Sequence, residues 1–172
     1  MINEWLRMSL KAIKWLLYYY TSLLFIGIII TICALLYDSI VLPINVSFTM
    51  VSLLGGIGTA LIGSTIFYLR KLYKSCINNE MSNPISDEDK IRELGINAYY
   101  YLRPLFAIAF SILIHIALKS SVQIITVKET RLDDGFIYIT MFVSFFAGFA
   151  AGDLITYIES NGFKWASKPF KD

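Results

Sequence analysis

Runs without a single charge, each long enough or nearly long enough to cross a bilayer, recur four times along the chain. Trp15 to Tyr37 holds 23 uncharged residues and Ile44 to Leu69 holds 26. Leu105 to Leu118 is shorter, at 14, and Gly135 to Gly152 runs for 18 before Asp153 and stays apolar to Ile158. A helix needs about 20 apolar residues to cross a hydrocarbon core about 30 Å thick. The third run reaches this because Pro104 fits a first helical turn and Lys119 can snorkel outward on its apolar stem. The pattern predicts an all-α polytopic membrane protein with four transmembrane helices, at 15–37, 44–69, 104–122 and 135–158. The short DSIVLP link makes a hairpin of the first two, and an external loop, 123–134, joins the last two.

Two further stretches carry a different rhythm. In residues 1–14, Glu4, Arg7, Lys11 and Lys14 recur at helical spacing opposite Ile2, Trp5, Leu6, Leu10 and Ile13. An amphipathic helix lying in the headgroup layer is expected there. The loop 70–103 holds a second one at 87–102: Ser86 to Asp89 supply a cap and first-turn acids, and Ile91, Leu94, Ala98 and Tyr101 follow at helical spacing. Pro104 disfavours a helical Arg103, so a bend is expected between this interfacial helix and the third span. Tyr18 to Tyr20 and Tyr99 to Tyr101 fall at the same ends of their spans, the depth of an aromatic belt, with the third tyrosine of each placed to face the bundle.

Composition agrees with the pattern. Hydrophobic residues make up 56% and charged ones 16%, against roughly 45–50% and about 25% in soluble domains. Charge placement then sets orientation. Twelve Lys and Arg lie on the segments before the first span, between the second and third, and after the fourth; only three lie on the opposite side. By the positive-inside rule both termini, the loop 70–103 and the tail 159–172 are cytoplasmic, which places the chain in the cell (inner) membrane. The first run exceeds the 7–15 residues of a signal-peptide core and no small-residue cleavage site follows it, so it is expected to be a retained anchor. Cys33 falls inside a span and Cys76 in the basic loop, a placement that does not suit a disulfide.

Small residues supply the expected packing surfaces. The second span carries Ser52, Gly56, Ala60 and Ser64 at intervals of four, flanked by Gly55, Thr59 and Gly63; the fourth carries Ser144, Gly148 and Gly152. Lipid tails are as apolar as leucine, so close backbone packing over such strips holds membrane helices together. Because the second span has two adjacent strips, one more than a single neighbour requires, homo-oligomerisation is expected alongside packing within the chain.

Few polar groups lie at depth. Asp153 and Arg103 both fall near the cytoplasmic ends of their spans, and an ion pair between them is the leading reading. The alternatives for Asp153 are an exposed carboxylate marking the helix end, or a group that handles ions or protons. His115, with Ser111 one turn before it, is read as a neutral hydrogen-bonding packer, the alternative being a sensor of external pH. No nucleophile elbow, phosphate loop or metal-binding motif occurs. No catalytic residue, cofactor or metal is therefore expected, and the scattered basic residues offer no nucleic-acid surface.

The expected function is a non-enzymatic membrane subunit that homo-oligomerises and presents residues 70–103 and 159–172 to a cytoplasmic protein partner. The alternative is a pore-forming or membrane-perturbing effector, of the kind used in bacterial toxin or phage-defence systems, with Ser52, Thr59 and Ser64 lining a water path. A small transporter ranks lowest, because no span carries a midplane charge.

Overall fold

The computed structural model describes residues 8–37, 47–77, 87–125 and 134–166. These form four helices: α1 (Leu10–Leu35), α2 (Phe48–Ile77), α3 (Asp87–Ile125) and α4 (Asp134–Ala166). All four are long and apolar enough to cross a membrane, so the protein is an all-α, multi-pass membrane protein. The expected DSIVLP link and most of the external loop lie outside the described residues, as do residues 1–7 and the last six of the tail.

Ser9 caps α1, its hydroxyl accepting from the Ala12 amide at 3.3 Å, while its own amide donates to Glu93 Oε1 on α3 at 2.8 Å. Residues 10–14 of the expected surface helix are thus the first turns of α1 itself. The segment 87–102 is likewise continuous with the third span: α3 runs unbroken for 39 residues with Pro104 inside it. At 1.5 Å per residue that is about 60 Å, roughly twice the hydrocarbon thickness.

Neighbours in sequence run antiparallel, as short links demand. Gly27 meets Gly58 and Ala34 meets Gly55 across α1 and α2, and Ser111 meets Ser144 across α3 and α4. Helices α2 and α4 are then parallel, and they make the most extensive contact in the molecule, while α1 packs on α2 and barely touches α3 or α4. Helices α2, α3 and α4 therefore form a three-helix core, and α1 packs chiefly against α2. Glycine makes this possible. A Cβ at Gly148 would collide with the Ala60 backbone carbonyl, and one at Gly63 with that of Phe145. With both side chains reduced to hydrogen the two backbones touch directly, in the manner of small-residue packing in membranes.

The polarity of the molecule is that of a membrane bundle. Phe25, Leu113 and Phe142 stand on the outside, about 60% exposed (62%, 59% and 67%), whereas Ser52, Ser64, Ser111, Thr140 and Ser144 are fully enclosed. With lipid outside, apolar surface gains nothing by turning inward, and the hydroxyls go where partners are.

Candidate functional site

A file of polar groups runs along the inside of the bundle. At the end poor in basic residues, His115 is buried with Nδ1 3.4 Å from Ser52 Oγ, and its ring stands edge-on to Phe136 at 5.7 Å between centroids. One turn deeper, Ser111 Oγ donates to Ser144 Oγ at 3.1 Å, directly over Gly56, where a Cβ would lie 3.0 Å from both hydroxyls. Thr59 donates to the Met141 carbonyl at 2.8 Å, and Thr140 back to that of Phe136 at 2.8 Å. Below these, Ala60, Ala107 and Ala151 close the interior with apolar contacts. Ser64 and Tyr68 follow, both enclosed, with hydroxyls that have no hydrogen-bond partner among the described residues.

The file ends at Arg103. Its side chain is only 3% exposed, Nη1 donates to the Gly152 carbonyl at 3.0 Å, and the guanidinium carbon sits 3.8 Å over the Tyr99 ring. Arg103 does reach the turn of α4 that carries Asp153, but the bond observed is to the backbone carbonyl one residue earlier, and the Asp153 side chain lies on the exposed face of α4. Nor does Asp153 mark the helix end, since α4 continues to Ala166.

Around Arg103 the basic end of the bundle is tied by tyrosines. Tyr20 stacks on Tyr68 (5.7 Å, 18°) and Tyr68 stands edge-on to Tyr100 (5.8 Å, 87°), with Leu16 and Leu72 packed against them. Tyr20 Oη donates to the carbonyl of Tyr100. That carbonyl has no helical partner, because the residue four positions on is Pro104, which has no N–H. Helix α1 thus supplies the hydrogen bond that the proline removes from α3, and this is how a 39-residue helix keeps a proline in its middle. Tyr19 Oη reaches the next carbonyl, that of Tyr101, at 3.2 Å. Tyr20, the third of its triplet, faces the bundle as expected. In the second triplet it is the middle residue, Tyr100, that is buried, while Tyr101 is 38% exposed.

The predicted packing residues converge inside a single chain. Gly55 faces Met141 and Ala34; Gly56 faces Ser111 and Ser144; Gly63 and Ala60 face α4 at Phe145 and Gly148; Gly152 faces Tyr68. Sequence reasoning missed Gly27 and Gly58, which let α1 approach α2: a Cβ at Gly58 would lie 2.7 Å from Thr31 Oγ1. The second strip on α2 therefore has a neighbour within the chain. Also missed was a cavity of about 400 Å³ at the basic end, lined by Lys71 of α2 with Arg92, Gly95, Ile96, Tyr99 and Tyr100 of α3. Both cations were visible in sequence, but only the antiparallel packing of α2 on α3 brings them together. Among the described residues no three His, Cys, Asp or Glu side chains cluster as metal ligands would.

Comparison with known protein families, curated proteins and solved structures finds no match to this chain.

Proposed function

We propose that this is a non-enzymatic subunit of a cell inner membrane, with both termini cytoplasmic, that presents a helical platform to a soluble partner protein. The observation that carries the reading is a one-sided overshoot. The apolar run of α2 ends at Leu69 but the helix continues to Ile77; α3 begins 18 residues before its apolar run; α4 continues past Ile158 to Ala166. All three extensions leave the bundle at the end that carries most Lys and Arg, the end the positive-inside rule assigns to the cytoplasm. On the α3 extension Ile91 and Leu94 stand 74% and 72% exposed, an apolar pair beyond the uncharged run that the other described residues leave uncovered.

Self-association through the strips of α2 and α4 is not part of this proposal, because those strips are enclosed within one chain. A second copy would have to use an outward face instead, such as that of α1 at Phe25 and Ile29 or that of α4 at Tyr138 and Phe142, all exposed. The same enclosure weighs on the pore reading, since Ser52, Thr59 and Ser64 are at most 9% exposed and the bundle would have to open before they lined water. What favours that second reading is that Thr31, Ser64 and Tyr68 have hydroxyls without a hydrogen-bond partner among the described residues, in an interior where such groups ordinarily find partners.

The two readings separate in cells. A photo-crosslinking residue at position 94 is expected to capture one soluble protein, with no such adduct from position 113, and Leu94→Asp is expected to abolish co-purification of that protein. Depolarisation on induced expression, without a soluble adduct at 94, would replace the platform with the pore.

A further inference from the structure

A cleft of about 400 Å³ opens on α1 at the basic end, lined by Leu10, Lys11, Lys14, Trp15 and Tyr18. At about 3.6 residues per turn these five share one side of the helix, opposite Ile13, Leu16 and Tyr20, which are buried against the bundle. Trp15 and Tyr18 are 62% and 72% exposed, and the same side continues through Phe25, Ile29 and Ile32, all exposed. The cleft is therefore one end of the lipid-facing side of α1. It lies at the depth where the charged start of the chain gives way to its first uncharged run.

Its charge is unanswered within the chain in two respects. Lys11 and Lys14 are exposed, and neither is in an ion pair among the described residues. Glu93, the acid that meets the start of α1, accepts from the Ser9 amide, and α3 lies on the bundle side, away from both lysines. Nor does the helix itself favour them. The N-terminus of a helix is the positive end of its dipole and stabilises acids, yet the first turn of α1 holds no acid and does hold Lys11. The positive-inside rule accounts for cations somewhere at this end of the molecule. It does not account for two that converge with amphipathic rings on one cleft, at a helix end that repels them. The cavity between α2 and α3 differs here, because Lys71 feels the charge of Asp153 and Arg92 has a partner of its own.

We propose that the cleft on α1 holds the phosphate of an anionic phospholipid from the leaflet at the basic end. Lys11 and Lys14 donate to the phosphate oxygens, Trp15 and Tyr18 flank the glycerol region, and an acyl chain lies along Phe25 and Ile29. Charge complementarity selects an anion, and the unbroken apolar continuation toward the hydrocarbon selects a lipid over a free one. The site uses only the outward side of α1, so it leaves the α3 platform to its partner.

The test is native mass spectrometry of the full-length protein in neutral-detergent micelles, titrated with phosphatidylglycerol or phosphatidylcholine. A lysine near a membrane surface gains about fivefold in affinity for anionic lipid, so the wild type is expected to hold one phosphatidylglycerol about thirtyfold more tightly than phosphatidylcholine. Lys11→Gln and Lys14→Gln should each cost about fivefold of this, and the two together nearly all of it. The double variant Lys11→Arg, Lys14→Arg keeps the charge and should keep the lipid. Removing the same charge from the other cavity, by Lys71→Gln, Arg92→Gln, should leave retention unchanged. Equal retention of the two lipids, equal losses from the two glutamine pairs, loss of the lipid in the arginine pair, or displacement by inorganic phosphate at the lipid's own concentration would overturn the proposal.

Discussion

The middle of the bundle and its basic end are held together by opposite means. In the middle, α2 and α4 meet backbone to backbone over Gly63 and Gly148, and the side chains there have been reduced almost to nothing. At the basic end, three helices are held by some of the largest side chains in the chain, Tyr20, Tyr68 and Tyr100, with Arg103 beside them. The difference follows from what surrounds each region. Within hydrocarbon a bulky apolar side chain is as comfortable facing lipid as facing another helix, so only close approach favours association. Nearer the interface water is available, and amphipathic rings gain by burying their faces while satisfying their hydroxyls on backbone carbonyls.

Substitutions in the two regions should therefore fail in different ways. The largest effect is expected from Gly148→Leu, whose side chain has no direction to go except into the Ala60 backbone. A loss of about 3 kcal/mol is predicted, read as a lowered midpoint of unfolding in detergent, and a midpoint like that of wild type would contradict the backbone contact of α2 with α4. Next is Tyr20→Phe, which orphans the buried Tyr100 carbonyl and should cost about 1–3 kcal/mol. Its signature is epistasis: in a Pro104→Ala background the helical N–H returns, and most of the Tyr20→Phe penalty should vanish. If the two losses simply add, the tyrosine is not standing in for the proline's missing donor.

Smaller effects sharpen the contrast. Gly95→Ala, on an open face of α3, should raise stability by about 0.5–1 kcal/mol through the better helix propensity of alanine, the opposite sign to any glycine in the seam. The smallest is Tyr68→Phe. The ring stays, and the hydroxyl it removes has no partner among the described residues, so a change within about 0.5 kcal/mol is expected; a larger loss would reveal a bond for that hydroxyl.

How much of this was legible in the sequence depended on the range of the interaction. Uncharged runs are local, and each falls on one of the four long apolar helices, though α2, α3 and α4 extend well beyond their runs at the basic end. The strips at Ser52–Ser64 and Ser144–Gly152 were also visible, because helical spacing alone puts them on one face. Their partners were not visible, since spacing cannot tell a neighbouring helix from a second copy, and α2, packed against α1, α3 and α4 at once, uses more small faces than a helix with two neighbours would. The helix boundary expected before Pro104 shows the same limit. The local rule was sound, but the side chain that offsets it lies 80 residues away. Arg103 and Asp153 share a depth that the sequence makes visible, whereas the choice between a carboxylate and the adjacent Gly152 carbonyl is a matter of rotation about α4.

The measurement that bears most directly on the account follows the two ends of α2. In a chain whose native cysteines are removed except where stated, a membrane-impermeant maleimide should label Ser47→Cys in intact cells. It should reach Cys76 only after lysis. Labelling of Cys76 from outside, or protection of position 47 until lysis, would contradict a four-pass bundle whose overshooting helices enter the cytoplasm.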